Sequence, residues 1–155
     1  MFKWKYELRA GEDVLGTLRR EDFWGHIALV ETAVGNWMFK ASGFFRPTVT
    51  AHVSGSESEV AVFSARNCWF FSLGEGVVRF ANGNFYRWVA GNKWAFRNEA
   101  GEYLVQFEPA GAFLKETRVH IAPVGEGLPE VDLLVPFGLF LILLDRGPKI
   151  PVPVE

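Results

Sequence analysis

The chain has 155 residues, of which 49% are hydrophobic and 15% aromatic, and its 16 basic and 18 acidic side chains give a formal net charge of −2. This composition excludes intrinsic disorder, because the apolar content is ample and the net charge is small. A pI of about 6.0 argues against a nucleic-acid binder held by a global basic field. The single cysteine, Cys68, excludes an internal disulfide framework and a multi-cysteine zinc site.

No segment has the pattern of a targeting signal or a membrane span. Residues 1–7 alternate charged and aromatic side chains and contain no apolar signal core. The main hydrophobic run, 133–144, has twelve residues, whereas a membrane-spanning helix needs about 20. We therefore predict a cytoplasmic protein without a transmembrane span.

Short runs rich in Val, Phe, Trp and Tyr alternate with turn signals along the chain, which is typical of an all-β barrel or sandwich. In the first run, Trp4, Tyr6 and Leu8 alternate with charged residues, as in a half-buried strand. Similar runs predict about twelve strands, at 3–9, 14–20, 23–31, 36–41, 44–53, 59–64, 68–73, 76–81, 84–90, 93–98, 102–108 and 113–121. Because no linker interrupts them, we predict a single domain over 1–147, followed by a Pro-rich tail over 148–155.

Two glycine–asparagine pairs are predicted to form two-residue hairpin turns, because both central positions of such a turn require residues that tolerate positive φ. They are Asn82-Gly83 and Gly91-Asn92. If Gly91-Asn92 is the whole turn, Arg97 shares a face with Trp88, and Arg87 lies on the opposite face.

The last predicted element is a helix at about 132–145. It begins among acidic residues, which suit a helix amino terminus, and ends before Gly147 and Pro148. Because this helix is apolar all round, it must be buried on all sides. A barrel of about twelve strands leaves a lumen that side chains alone do not fill. The sequence therefore predicts an all-β fold with one helix, a closed antiparallel barrel that encloses its own C-terminal helix.

The chain resembles the tubby C-terminal-domain-like superfamily, which includes the tubby proteins, the plant LURP-one-related proteins, the phospholipid scramblases and small bacterial members. The resemblance rests on the strand pattern followed by a hydrophobic helix, and it covers the chain from Trp4 to about Arg146. The local match to the small bacterial members consists of the segments 82–88 (NGNFYRW), 94–104 (WAFRNEAGEYL), 119–123 (VHIAP) and 128–130 (LPE).

The resemblance implies a barrel around a central helix and a lipid-related binding role. Tubby domains bind phosphoinositide headgroups through basic residues on the barrel surface, and scramblases act on lipids. Neither site can be carried over residue by residue, because the chain shows no counterpart of the tubby basic cluster and no acidic calcium loop.

No motif predicts a catalytic or metal site. His26, His52 and His120 lie on separate predicted strands without a metal-ligand spacing. Cys68 adjoins Trp69 in an apolar run, which is typical of a packed thiol rather than a nucleophile. We therefore predict no enzymatic activity, no metal and no cofactor.

Basic side chains carry the main functional signal in the sequence. A cationic patch edged with aromatic residues can bind anionic lipid headgroups, although Lys and Arg also simply solvate the outside of a barrel. The candidate headgroup ligands are Lys3, Lys5, Arg19, Arg20, Arg87, Lys93 and Arg97. We predict a non-enzymatic cytoplasmic barrel that binds anionic phospholipid headgroups or acts as a peripheral-membrane or protein-interaction adaptor. Two alternatives remain open: a lipocalin-like carrier, suggested by Gly35-Asn36-Trp37, and a purely structural interaction module.

Overall fold

A computed structural model of the chain describes residues 5–10, 12–20, 26–42, 48–65, 74–90, 94–110 and 116–146. The strands are β1 (Lys5–Ala10), β2 (Asp13–Arg20), β3 (Ile27–Thr32), β4 (Gly35–Ser42), β5 (Thr48–Val53), β6 (Glu59–Ala65), β7 (Gly76–Phe80), β8 (Phe85–Val89), β9 (Trp94–Arg97), β10 (Tyr103–Ala110) and β11 (Glu116–Ile121). A short helix, α1 (Pro123–Glu126), precedes the main helix, α2 (Val131–Arg146).

The strands form one antiparallel sheet in which each strand pairs with its neighbours in the sequence, in the order β1 to β11. The all-β fold with a C-terminal helix is therefore confirmed, and eleven of the predicted strands appear close to their expected positions. The predicted strand at 68–73 and the predicted tail at 148–155 lie outside the described residues. Within the described residues, no backbone ladder joins β1 to β11.

Because the strands alternate in direction, every second connection lies at the same end of the sheet. We call this the turn end; its connections are 11–12, 33–34, 54–58, 81–84, 98–102 and 122–130. Helix α2 begins at the turn end, since its first residue follows the last of these connections.

One face of the sheet packs against α2. Alternate strand residues, such as Ala28 and Val30 of β3, are fully buried, which is the period-two pattern of a sheet with one covered face. The Phe39 ring of β4 lies 5.0 Å from Phe137 and 5.8 Å from Phe140 of the helix, measured between ring centroids. The helix is thus the core of the molecule rather than a surface element.

Helix α2 is also closely packed on the side of β9 and β10. A Cβ atom added at Gly138 would lie 2.6 Å from Cε1 of Phe107 and 3.0 Å from Cε2 of Phe96. The glycine therefore allows the helix backbone to approach these two buried rings. A Pro lies inside the helix at Pro136, where it is within the second turn and its missing N–H removes at most one intrahelical hydrogen bond.

The predicted two-residue hairpin at Asn82-Gly83 is wrong by one residue. The N–H of Phe80 donates to the carbonyl oxygen of Asn84 at 2.8 Å, and Gly83 has φ +95°. Three residues, 81–83, therefore separate the bonded pair, as in a hairpin loop that ends with a left-handed glycine.

Candidate functional site

Two of the predicted headgroup ligands lie directly opposite each other on adjacent strands. Arg87 of β8 is the register partner of Arg97 of β9, while their neighbours Trp88 and Phe96 form the adjacent buried pair. Arg87 and Arg97 therefore share the outward face of the sheet. The condition for opposite faces, a two-residue turn at Gly91-Asn92, does not hold, because the β8–β9 register differs by one residue from that of such a turn, and a shift of one residue inverts every side chain. Gly91 and Asn92 themselves lie outside the described residues.

A third arginine and two aromatic rings extend this surface. Arg79 of β7 lies with its guanidinium carbon 5.5 Å from the centroid of the Phe85 ring, and that of Arg97 lies 5.2 Å from the centroid of the Tyr103 ring. We call these five residues the arginine patch. Among the described residues, no carboxylate forms an ion pair with Arg79, Arg87 or Arg97.

The arginine patch has an electrostatic cost in the free protein. Like charges directly opposite on neighbouring strands destabilise a sheet, and here Arg87 faces Arg97. Within the described part of the chain, the side chain of Arg97 makes one hydrogen bond, which its Nε donates to the carbonyl oxygen of Gly101 at 3.1 Å. A bound anion would neutralise the repulsion between the two guanidinium groups.

Of the other predicted ligands, the two whose side chains the structure describes, Arg19 and Arg20, do not join this patch. Lys3 and Lys93 lie outside the described residues, as does the side chain of Lys5, whose backbone pairs with Arg19. Arg19 is half-buried on β2 and is the register partner of Leu29. In the order of the sheet, β2 is separated from β8 by five strands.

Arg20 differs from the other candidates because it points into the core. Its side chain is only 6% exposed, and its guanidinium donates to the carbonyl oxygen of Leu143 at 3.3 Å. That carbonyl belongs to the last turn of α2, whose oxygens have no partner within the helix. Burial raises the pKa of the Tyr6 hydroxyl, and the charge of Arg20 partly offsets that rise. Arg20 is therefore a helix-binding residue of the interior and not a surface ligand.

A group of hydrogen bonds connects the β7–β8 hairpin to the start of α2. We call it the clasp; its residues are Glu130, Asn82, Asn84 and Tyr86. Oε2 of Glu130 accepts hydrogen bonds from the side-chain amides of Asn82 at 2.9 Å and Asn84 at 3.0 Å. Oε1 accepts one from the hydroxyl of Tyr86 at 3.1 Å. The clasp joins two of the segments on which the family resemblance rests, 82–88 and 128–130.

The hydrogen bonds of the clasp shift the pKa values of both Glu130 and Tyr86. Burial by itself would raise the pKa of Glu130, but the hydrogen bonds from Asn82, Asn84 and Tyr86 hold it below the ordinary value of 4.5. Burial, followed by the hydrogen bond to Glu130 and its negative charge, raises the pKa of Tyr86 to about 12. Near neutral pH, Glu130 is therefore a carboxylate and Tyr86 a neutral donor.

An open groove of about 310 Å³ lies beside the clasp, at the turn end. Its lining is mostly apolar, with one carboxylate and one amide. The lining residues are Trp37, Val60, Phe80, Ala81, Asn82, Pro129, Glu130 and Leu133. Trp37 and Phe80 are half-buried, so that each presents part of its ring to solvent.

The turn end is acidic. Its six connections contain six carboxylates and no Lys, Arg or His; the carboxylates are Glu12, Glu57, Glu99, Glu102, Glu126 and Glu130. Such a one-sided arrangement of charge attracts cations to this end. The arginine patch and the groove thus present opposite charges on different surfaces.

Sequence reasoning missed Arg79 and the role of Glu130. Arg79 stands alone between two apolar residues of a strand, and only the pairing of β7 with β8 places it near Arg87. Glu130 lies 44 to 48 residues from its three partners along the chain. A local signal did exist for the hairpin side of the clasp, since Asn82 and Asn84 flank a glycine turn.

The histidines show no metal-binding arrangement. His52 contacts the hydroxyl of Thr50 at 3.0 Å and the carbonyl oxygen of Glu57 at 3.2 Å, both within its own hairpin. Over the described part of the chain, no group of three or more His, Cys, Asp or Glu side chains could hold a metal ion. Cys68 lies outside that part.

Helix α2, at 16 residues, is the longest helix among the described residues, and none of the helices there is long and apolar enough to cross a bilayer.

Comparison with known proteins identifies no relative of the chain. No protein-family model matches the chain, and comparison with the curated proteins and with the solved structures gives no match either.

Proposed function

We propose that the chain is a non-enzymatic, tubby-like domain that binds anionic phospholipid headgroups through the arginine patch. The observation that carries the proposal is the direct opposition of Arg87 and Arg97 on the outward face, without an ion-paired carboxylate among the described residues. The guanidinium group suits this role, because its fixed fork of donors matches phosphate oxygens.

The same proposal includes closure of the sheet around α2 into a barrel. Support comes from strands far apart in the sheet that contact the same helix: Arg20 of β2 bonds to it, Phe39 of β4 packs on it, and Phe107 of β10 packs against Gly138. A single sheet can reach several sides of one helix only by curving around it. Because α2 occupies the interior, a lipocalin-like carrier with an internal ligand has less support.

The arginine patch suits a peripheral mode of membrane binding. Each Lys or Arg near an anionic leaflet contributes about 1 kcal/mol, and this attraction falls off within a Debye length. Phe85 and Tyr103 flank the charges, and aromatic side chains are well suited to the membrane–water interface. The protein would act at the cytoplasmic leaflet, which carries the anionic lipids.

Vesicle co-sedimentation tests the proposal. The wild type is compared with a double variant, Arg87→Gln with Arg97→Gln, on phosphatidylcholine vesicles with and without phosphatidylglycerol. We expect the double variant to bind anionic vesicles about thirtyfold more weakly, from about 1 kcal/mol for each arginine. We also expect wild-type binding to weaken as salt is added.

A matched variant controls for net charge. Arg9→Gln with Lys40→Gln removes two positive charges from exposed positions on β1 and β4, outside the arginine patch. It should bind anionic vesicles nearly as well as the wild type. Equal losses in the two double variants would show only general electrostatic attraction, and no loss in the Arg87 and Arg97 variant would refute the proposed site.

A further inference from the structure

The groove at the turn end combines apolar walls with a single negative charge. Trp37 and Phe80 contribute aromatic rings, and Leu133 of α2 contributes an aliphatic wall. Its volume of about 310 Å³ is at the lower limit of small-molecule sites. A cation with apolar substituents matches this lining, because aromatic faces attract cations and the walls accommodate methyl groups.

The hydrogen bonding of Glu130 decides which kind of cation fits. A carboxylate has about four lone-pair positions, and Glu130 already accepts three hydrogen bonds, two of them at Oε2. It therefore offers a full negative charge but little remaining acceptor capacity. A primary ammonium must replace its hydration with new acceptors, whereas a quaternary ammonium has no N–H groups and requires only the charge.

Two further observations support a cationic ligand. The pKa of Glu130 lies below its ordinary value, so the charge persists at physiological pH. The groove lies at the turn end, whose connections contain six carboxylates and no basic side chain, and such a one-sided arrangement of charge favours a cation.

We propose that this groove binds a small quaternary ammonium compound, with its methyl groups against Trp37 and Phe80 and its positive charge compensated by Glu130. This site is independent of the arginine patch, since it has the opposite charge and shares no residue with it. The two proposals can therefore fail separately.

NMR spectroscopy of the full chain tests the site with choline chloride as the probe. The indole N–H resonance of Trp37 is assigned by its absence from the Trp37→Leu spectrum. We expect choline to shift this resonance and the side-chain amide of Asn82 saturably, and ethylammonium chloride to bind more weakly. Sodium chloride at equal concentration controls for ionic strength. Non-saturable shifts, or equal affinity for choline and ethylammonium, would overturn the proposal.

Variants separate the aromatic and the charge contributions. Trp37→Leu should weaken choline binding, followed through the amide of Asn82, about fivefold or more, and Trp37→Phe should retain most of it. Glu130→Gln should abolish measurable binding. Glu126→Gln, which removes an equal charge at the turn end outside the groove, should change it little. Unchanged affinity in folded Trp37→Leu, or equal losses in the two glutamate variants, would refute the site.

A vesicle experiment distinguishes a soluble ammonium compound from a lipid headgroup as the ligand of the groove. Phosphatidylcholine vesicles without anionic lipid present choline as a headgroup. If they sediment the protein and free choline releases it, the groove accepts the headgroup as well. If they do not sediment it while choline shifts the Trp37 resonance, the ligand is the soluble compound. Neither result depends on Arg87 or Arg97, so failure of the arginine patch would leave this site standing.

Discussion

Replacing Glu130 by alanine removes the acceptor of all three hydrogen bonds in the clasp. The bonds from the neutral amides of Asn82 and Asn84 are exposed, so we assign each about 0.5 kcal/mol, the lower end of the net contribution of a hydrogen bond. The hydroxyl of Tyr86 donates a part-buried hydrogen bond to the charged carboxylate, and losing a hydrogen bond of this kind costs about 1–3 kcal/mol. The free energy of unfolding should therefore fall by about 2–4 kcal/mol.

Urea unfolding followed by tryptophan fluorescence measures this loss. Glu126→Ala is the matched control, because Glu126 is an exposed glutamate of the same connection, and surface substitutions of this kind change stability by about 0.5 kcal/mol or less. If Glu130→Ala were no less stable than Glu126→Ala, the clasp would not stabilise the fold and the reasoning would be refuted.

The clasp also predicts a pH dependence. The pKa of Glu130 is depressed in the folded state, so its stabilising effect is present above the ordinary value of 4.5 and is lost as the pH falls through the folded-state pKa. The difference in stability between the wild type and Glu130→Ala should be constant near neutral pH and shrink below about pH 4.5. A difference that stays constant into strong acid would mean that the ionised form is not the one that binds the hairpin.

Two further substitutions test the packing of the core. Gly138→Ala should destabilise the protein by about 1–2 kcal/mol in urea unfolding, because the overpacking cost at contacts this close to Phe107 is about 2–3 kcal/mol and outweighs a gain of about 1 kcal/mol in helix propensity. Gly127→Ala, where an added Cβ meets nothing within 4 Å, should be close to neutral, and equal effects of the two would contradict the close approach of helix and sheet. Arg20→Met should cost about 1–3 kcal/mol by leaving the buried carbonyl of Leu143 without this donor; a more stable variant would show that desolvation of the arginine outweighs its bond.

The sequence predicts the strands and the C-terminal helix well, because each of them depends on the pattern of apolar residues within its own segment. Strands such as β3 alternate fully buried residues with less buried ones, and α2 is apolar on every side. The hairpin registers were predicted less well, since a turn signal locates a turn without fixing how many residues it contains. At Asn82-Gly83 the loop has one residue more than expected. The β8–β9 register likewise differs by one residue from that of a two-residue turn, so that Arg97 lies on the same face as Arg87.

The candidate site was only partly predictable for a related reason. Arg87 and Arg97 stand out in the sequence, but their opposition depends on the β8–β9 register. Arg19 and Arg20 are both candidate ligands in the sequence, but strand periodicity places Arg20 on the same face as the buried Leu18. The clasp at Glu130 needed the fold itself, because its partners come from a distant hairpin.

The aromatic side chains divide into two groups with different roles. Most of the described rings are buried between sheet and helix, as shown by Trp88, whose ring lies 4.7 Å from Phe96 and 5.7 Å from Phe107. The half-buried or exposed rings lie beside charges: Tyr103 borders Arg97, and Trp37 lines the groove that contains Glu130. Packing accounts for the first group but not for the second.

The small net charge of the chain does not reveal that its basic and acidic side chains are concentrated on different surfaces. A formal charge of −2 excludes a global basic field, yet three arginines without carboxylate partners among the described residues lie on the outer face of β7 to β9, and six carboxylates lie at the turn end. Each charged surface has its own partly exposed rings. Because the two surfaces have opposite signs and share no residue, the proposed anion binding at the arginines and the proposed cation binding in the groove can be tested separately.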